Sequence, residues 1–506
     1  MPSSPLPSTR IRFALPLLGA TALLLAGCAV GPDYVRPDAA LSPAALQGFK
    51  EDGPWRAAAP ADIDPHTPWW TAYGDPQLSA LVTQADAANQ TLQQAEAQYR
   101  QAQALVQSAS SAFYPTVGLD ASGGRGRSKT DGVSTLGNSH AWSLQASWEP
   151  DLWGRVRRTV EAANAGAEAS AADLAAARLG VQAAVVNNYI QLRLSDQQKA
   201  LYDTTLEGYR KSLQLSQAQY RAGVVMRSDV ALAQSTLAAA EAQAVDVELT
   251  RRQLEHALAV LVGKTPADFS VAPAPMAVKL PQVPTGVPSM LLERRPDIAS
   301  AERRAAAANA QIGVAQAAYY PDLLLSAAGG FSGAGLSSWA AAPDKVWALG
   351  FALAGTLFDG GQREAQTAQA RAAFDAAAAG YRQTVLAGFQ EVEDNLAALH
   401  QLAQAREAQQ RAVDAAHDSE RVLLSQYRAG TTTYLAVITS QALALSAERT
   451  SLALQAREYA ASVALIKAVG GGWDASQMDN ATARTSPPPD RAAAAGPTTD
   501  RVADAH

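Results

Sequence analysis

From Arg155 to Tyr220 the apolar positions recur at helical spacing, and no proline interrupts the chain between Pro150 and Pro266. Tyr202, Leu206, Tyr209, Leu213 and Tyr220 advance by steps of 4, 3, 4 and 7, with Ser216 in the remaining slot. That spacing is a coiled-coil seam. A helix over the whole stretch is about 100 Å long at ~1.5 Å per residue. No single globular core can use that length, so such helices must lie against one another. A second proline-free stretch, between Pro343 and Pro487, repeats the seam at Val413, Ala416, Leu423 and Tyr427, with Glu420 interrupting it. A shorter helical pattern (Leu78, Leu81, Val82, Ala85, Leu92, Ala95, Tyr99) places the start of regular structure near Gln77.

Elsewhere the period drops to two. Trp142, Leu144, Ala146 and Trp148 alternate with Ser143, Gln145, Ser147 and Glu149; Trp347, Leu349, Phe351 and Leu353 alternate with small residues. Each run has a partner upstream, Val117, Leu119 and Ala121 after Pro115, then Leu323, Leu325 and Ala327 after Pro321. Glycine-rich loops are expected between the partners, at about 123–140 and 329–345. Large apolar residues on one face suit a strand between lipid and lumen, although a half-buried soluble hairpin alternates in the same way. Trp142 and Trp148 lie about 20 Å apart along an extended strand, close to the ~25 Å apolar band of an outer-membrane barrel. A count then constrains the outcome. The chain offers four such strands, whereas the smallest membrane barrels need about eight. Bare strand edges are not tolerated in lipid, so strands that enter a bilayer require several copies of the chain.

The two halves are copies of each other. Ala218–Gly223 returns as Ser425–Gly430 at an offset of 207, and Ala112–Pro115 returns as Ala318–Pro321 at 206. Trp142, Leu144, Leu152 and Trp153 reappear as Trp347, Leu349, Leu357 and Phe358 at 205. The expected fold class is α+β, a pseudo-two-fold repeat of long coiled-coil helices and β-strand pairs. Gly223 and Gly430 suit the left-handed position that closes a helix. Ser228 or Asp229 is expected to cap the helix after the first tip, and Thr431 to Thr433 offer hydroxyls after the second.

Charge and composition exclude several functions. A net charge of −6 argues against a nucleic-acid surface. Mean hydropathy of −0.09 with 17% charged residues excludes a multi-helix membrane protein. At the N-terminus, Arg10 and Arg12 precede an apolar run, Phe13–Ala26, that ends in Leu25-Ala26-Gly27-Cys28. This is the layout of an export signal with a lipobox, in which Cys28 is acylated after cleavage. Ala29 points outward, where an aspartate would favour retention at the inner membrane. Several acyl chains make a durable anchor, and with Cys28 acylated no thiol remains for a disulfide. The expected division is a signal peptide at 1–27, an acylated extended tether at 28–76, and a first repeat at 77–266 with strands near 115–124 and 141–149 and a tip at 220–229. A linker at 267–288 leads to a second repeat at 289–473, with strands near 321–330 and 346–358 and a tip at 427–434. A disordered tail follows at 474–506.

No catalytic constellation emerges. His66, His140, His256, His400, His417 and His506 lack metal-ligand spacing. Gly263-Lys264-Thr265 imitates the end of a P-loop, but leucine occupies position 258 and the segment follows a helix. Gly330–Ala334 lacks the final glycine of a nucleophile elbow. Glu293-Arg294-Arg295-Pro296-Asp297 reads as capping and surface pairing at a helix start. The chain is not expected to be an enzyme, to carry a metal, or to hold any cofactor beyond the lipid on Cys28.

Taken together, the motifs resemble the outer membrane efflux protein family, the TolC-type exit ducts. The resemblance is narrower still to its NodT-type lipoprotein subgroup, which works with resistance–nodulation–division transporters. It is carried by Leu25–Cys28 with Gly31-Pro32-Asp33-Tyr34, Pro68-Trp69-Trp70, Gly74–Leu78, Tyr114-Pro115 and Asp151-Leu152-Trp153-Gly154. Glu293–Ile298, Tyr320-Pro321, Leu357–Gly361, both Tyr-Arg-Ala-Gly tips and Gly470–Trp473 complete it. The resemblance implies a homotrimer whose strands form a twelve-stranded barrel in the outer membrane, continued by an α-helical barrel across the periplasm. It implies docking onto a periplasmic adaptor, the membrane fusion protein, and through it onto an inner-membrane pump. Carried over by position, Gly223, Val224, Val225, Gly430, Thr431 and Thr432 form the adaptor edge. Tyr220, Arg221, Asp229, Tyr427 and Arg428 form the network that keeps the duct shut, so Asp229→Ala is expected to raise resting conductance. Relatives often carry aspartates just past the second tip. Here Ala436-Val437-Ile438-Thr439 stand instead, so a strong acidic ring is not expected at that mouth. Exported cargo is expected to be small toxic molecules. The alternatives are a protein-secretion duct or, in another class, a non-conducting, lipid-anchored periplasmic scaffold.

Overall fold

The computed structural model describes residues 29–39, 41–42, 48–51, 68–130, 132–281, 294–333 and 345–474. The signal segment, Cys28, Glu293 and the tail beyond 474 lie outside the described residues. Two short helices open the body, α1 (Pro76–Ala88) and α2 (Gln90–Ser110). Each is started by a side chain that accepts from the free amides of its first turn, Asp75 from Gln77 N at 2.8 Å and Asn89 from Thr91 N at 2.9 Å. Strands β1 (Thr116–Thr130) and β2 (Val133–Trp148) follow, then α3 (Arg155–Arg221) and α4 (Arg227–Leu261). The second half runs α5 (Pro296–Ala317), β3 (Asp322–Gly333), β4 (Lys345–Ala354), α6 (Gln362–Arg428) and α7 (Tyr434–Ala468). Helices α3 and α6 both have 67 residues, and α4 and α7 both have 35. Their starts are offset by 362 − 155 = 207 and 434 − 227 = 207.

The strands form one antiparallel sheet in the order β1-β2-β3-β4, with β2 and β3 joining the two halves. β1 and β2 reach well past the expected spans. The residues expected as a loop at 123–140 are mostly strand, paired without a bulge out to Thr130 and Val133. Their glycines, serines and basic residues suggest a loop by composition, yet the two-residue alternation continues and both backbones are paired. β4 stops at Ala354 rather than near 358, leaving Leu357 and Phe358 bare.

The helices cross at a central core where Leu78 and Val82 of α1 meet Val185, Tyr189 and Ile190 of α3, Leu258 of α4, Leu396 of α6 and Leu465 of α7. Beside it, Asp196 receives both Arg193 (2.9 Å) and Arg251 (2.7 Å). Arg193 also donates to Ala272 O, Arg251 to Val271 O, and Asp196 accepts from Ala274 N. The start of the expected linker is therefore pinned to α3 and α4. Buried charges persist only when fully paired in this way.

Two further expectations are corrected. The segment expected to be a loose tether is extended but docked. Val30 N donates to Trp153 O at 3.0 Å, Arg158 pairs with Asp33, and Tyr34 donates to Glu302 Oε1 at 2.6 Å. Gly31 presses on Gly313, where a Cβ would come within 2.5 Å of backbone. Phe49 is buried against Phe389. Prolines hold the segment extended, and backbone and ionic contacts hold it down, so it leaves no hydrophobic period in the sequence. Arg295, expected in surface pairing, is buried instead. It bridges Asp297, Glu391 of α6 and Ala468 O of α7.

Candidate functional site

Two regions can do work, the hairpin tips at one end and the sheet at the other. At the tips the chain turns through Gly223 and Gly430, both left-handed with φ of 75° and 73°. Gly223 N and Val224 N donate to Tyr220 O and Gln219 O, at 3.0 and 2.9 Å; Gly430 N and Thr431 N repeat this on Tyr427 O and Gln426 O at the same distances. A side chain at either glycine would meet the ~1–2 kcal/mol penalty of left-handed backbone. The following helices start from Met226 and Thr433. Ser228 is therefore not a cap, and Asp229 acts from inside the first turn, accepting from Met226 N at 3.3 Å. Thr431 bonds back to Gln426 O rather than forward. Gly223, Val224, Gly430 and Thr431 are exposed, while Val225 and Thr432 are partly covered. Met226, which the sequence did not single out, is 72% exposed at the same edge.

Of the five residues expected to form a closing network, one crosses between hairpins. Tyr427 is buried, lies 5.3 Å from the Tyr434 ring, and reaches Ser216 Oγ at 3.3 Å and Gln219 Oε1 on α3. Ala233, Val437 and Ile438 complete the apolar cluster around it. Burial pushes the Tyr434 hydroxyl up to about 12, so it stays neutral through the physiological range. Tyr220 is 47% exposed because the seam ends at Ser216. Arg221 turns back to Gln217 O on its own helix, and Arg428 is exposed. Asp229 serves its own hairpin. Ser216 and Gln219 of α3 complete the crossing, and Tyr434 packs on the Tyr427 ring from the same hairpin; the polar slot at Ser216 in an otherwise apolar seam was its sequence signal. Past the second tip, Val437 and Ile438 are buried and Thr439 bonds to Leu435 O.

At the sheet, the register puts most of the large apolar residues on one face. Leu119 opposes Leu144, Ala121 opposes Trp142, and Trp142 opposes Phe331 with ring centres 5.3 Å apart. Trp148 opposes Leu325, which opposes Phe351; Leu323 opposes Leu353; Gly329 opposes Trp347; Ala327 opposes Leu349. On β4, Trp347, Leu349, Phe351 and Leu353 are 64–79% exposed. Left in water, these four side chains alone forgo about 6–12 kcal/mol of burial at ~1.5–3 kcal/mol each, as much as a whole domain's stability. They therefore require a covering. An aromatic belt marks the junction with the helices. Trp148 Nε1 donates to Phe113 O, Trp153 stacks on Tyr320 at 4.8 Å, and Tyr114, Tyr319 and Phe358 lie exposed nearby. Tyrosine and tryptophan favour this level of a bilayer. Both β1 and β4 are edges without a partner strand among the described residues. Only α3, among the described residues, contains a stretch long and apolar enough to cross a membrane as a helix, and it packs against α2, α4, α5 and α7.

A model of the outer membrane efflux protein family matches residues 81–264 and 287–471. The chain is 32% identical over 441 residues to the pyoverdine export outer membrane protein OpmQ of Pseudomonas putida, covering 85% of this chain and 93% of that one. It is 30% identical over 470 residues to the toluene efflux pump outer membrane protein TtgC of the same species, covering 90% and 95%. Among solved structures, the outer-membrane channel OprN is 31% identical with a TM-score of 0.81, covering 88% of this chain and all of that one.

Proposed function

The chain belongs to the outer membrane efflux protein family, and from that premise we propose that it is the outer-membrane exit duct of a tripartite pump. Three copies join their four-stranded sheets into a twelve-stranded barrel, 3 × 4 strands, and the paired hairpins continue the conduit through the periplasm. One observation carries this reading. An open sheet with an apolar band across one face and, among the described residues, two bare edges stands on helical hairpins about 100 Å long. Copies around a shared axis satisfy the edges, lipid covers the apolar face, and water fills the lumen.

The duct itself is passive, and the driving force comes from an inner-membrane transporter through a periplasmic adaptor. The exposed edge of Gly223, Val224, Val225, Gly430, Thr431 and Thr432, extended by Met226, is the adaptor contact. Tyr427 with Ser216 and Gln219 holds the two hairpins together at rest. With Ala436 and Thr439 past the second tip, a carboxylate ring at the mouth either uses other residues, such as Asp229, or is absent. Acylation of Cys28 adds an anchor, and Val30, two residues on, donates to Trp153 O beside the aromatic belt. The small cargos named for relatives, pyoverdine and toluene, favour export of small molecules over secretion of protein.

Planar-bilayer recording tests the reading. The purified protein is expected to give small resting steps that grow when the tip bond is removed. A well-folded oligomer that carries no current in either form favours the scaffold alternative.

A further inference from the structure

Beyond the apolar band, the outward face of the sheet becomes basic. On β1 the positions that share a face with Val117, Leu119 and Ala121 continue past Gly123 as Arg125, Arg127 and Lys129. The register to β2 is unbroken from Thr116–Ser147 to Thr130–Val133, so no bulge turns these side chains inward. Opposite them on β2 stand Asn138, Leu136 and Ser134, and on β4 the same outward face ends in Lys345. All three β1 cations are exposed, and none is paired among the described residues. The lumen-side positions Gly124 and Gly126 between them are uncharged. Between Ser122 and Ala141 the only carboxylate in the sequence is Asp131, which lies outside the described residues; the stretch carries 3 − 1 = +2 in a chain of net −6.

Height decides what this stripe meets. A barrel strand tilted by ~35–45° climbs about 2.6 Å per residue along the membrane normal. Ten residues from Pro115 therefore span the ~25 Å apolar band, which ends at Arg125. Arg127 and Lys129 stand about 5 and 10 Å higher, at headgroup level. Cations needed only for solubility would be as useful on the lumen face, yet they are confined to the lipid side. Guanidinium forks match phosphate oxygens in pairs, and three cations on alternate residues, ~7 Å apart, suit a headgroup with more than one phosphate.

We propose that Arg125, Arg127 and Lys129 form a binding stripe for multiply phosphorylated glycolipid headgroups in the outer leaflet. The inference rests on the outer-membrane reading of the sheet. The full-length protein is reconstituted into zwitterionic phospholipid vesicles doped with a bis-phosphorylated diglucosamine lipid, its dephosphorylated form, or phosphatidylglycerol. Lipid that survives detergent washing is then counted by native mass spectrometry. The wild type is expected to keep several-fold more of the bis-phosphorylated lipid than the Arg125→Gln/Arg127→Gln/Lys129→Gln variant, with the difference shrinking at high salt. Lys129→Gln alone, at the strand tip, covers the case in which the triple variant fails to insert, and is expected to lose part of the retention. Equal retention by the inserted variants, equal retention of the dephosphorylated lipid, or a preference for phosphatidylglycerol overturns the proposal. A wild type that never inserts overturns the outer-membrane reading instead, so the two failures are distinguishable.

Discussion

One phenolic hydroxyl joins the two hairpins near their tips. Tyr427→Phe keeps the ring beside Tyr434 and removes only the bonds to Ser216 and Gln219. A hydrogen bond contributes about 0.5–1.5 kcal/mol, so resting conductance is expected to rise several-fold in single-channel recording. Asp229→Ala is expected to do less, because its observed partner is Met226 N on the same hairpin; equal effects would return Asp229 to the closing network. A second residue makes the docked N-terminal strap sensitive to acid. Burial alone would raise the Glu302 carboxyl, but hydrogen bonds from Arg303 and Tyr34, helped by the charge of Arg36, outweigh it and hold the group below its ordinary 4.5. A depressed carboxyl stabilises the docked form above its unfolded value, and that contribution is lost as pH falls through the folded one. Amide exchange across 29–39 is expected to be slow at neutral pH and to quicken below about pH 4; a rate that tracks only the intrinsic pH dependence would remove Glu302 from the docking.

Among the elements, the two faces of β4 are expected to answer oppositely to the same charge. Leu349→Arg puts a cation on the lipid face, where the cost is about 2–4 kcal/mol at mid-bilayer, whereas Ala348→Arg points into the lumen. The first is expected to cut the yield of inserted oligomer sharply and the second to leave it; equal yields would mean the face is not lipid-covered. The long helices, their equal lengths and their glycine tips were legible in the sequence, because proline-free seams and a left-handed turn leave strong periodic marks. The outer halves of β1 and β2 were not, since Arg125, Arg127 and Lys129 among glycines and serines look like loop. Nor was the strap from Val30 to Arg36 legible, because its contacts are backbone and ionic. At the tip, Tyr427 was readable from its repeated motif. Of its partners, Ser216 left a mark as the polar slot in an apolar seam, whereas Gln219 left none, because a bond between hairpins has no spacing along the chain.

For the molecule as a whole, the decisive feature is what one subunit lacks. Among the described residues its sheet has two bare edges, and its apolar face has no cover. The helical hairpins below it present further apolar side chains outward, such as Val245 and Leu249 of α4 and Leu443 of α7, which suit packing against neighbouring copies. Edge closure and lipid burial are one event in this geometry, so insertion and oligomerisation are expected to occur together. Native mass spectrometry of the protein released from lipid nanodiscs measures both at once. Three chains per inserted particle is the expected result, and a single chain that stays outside the lipid would contradict it.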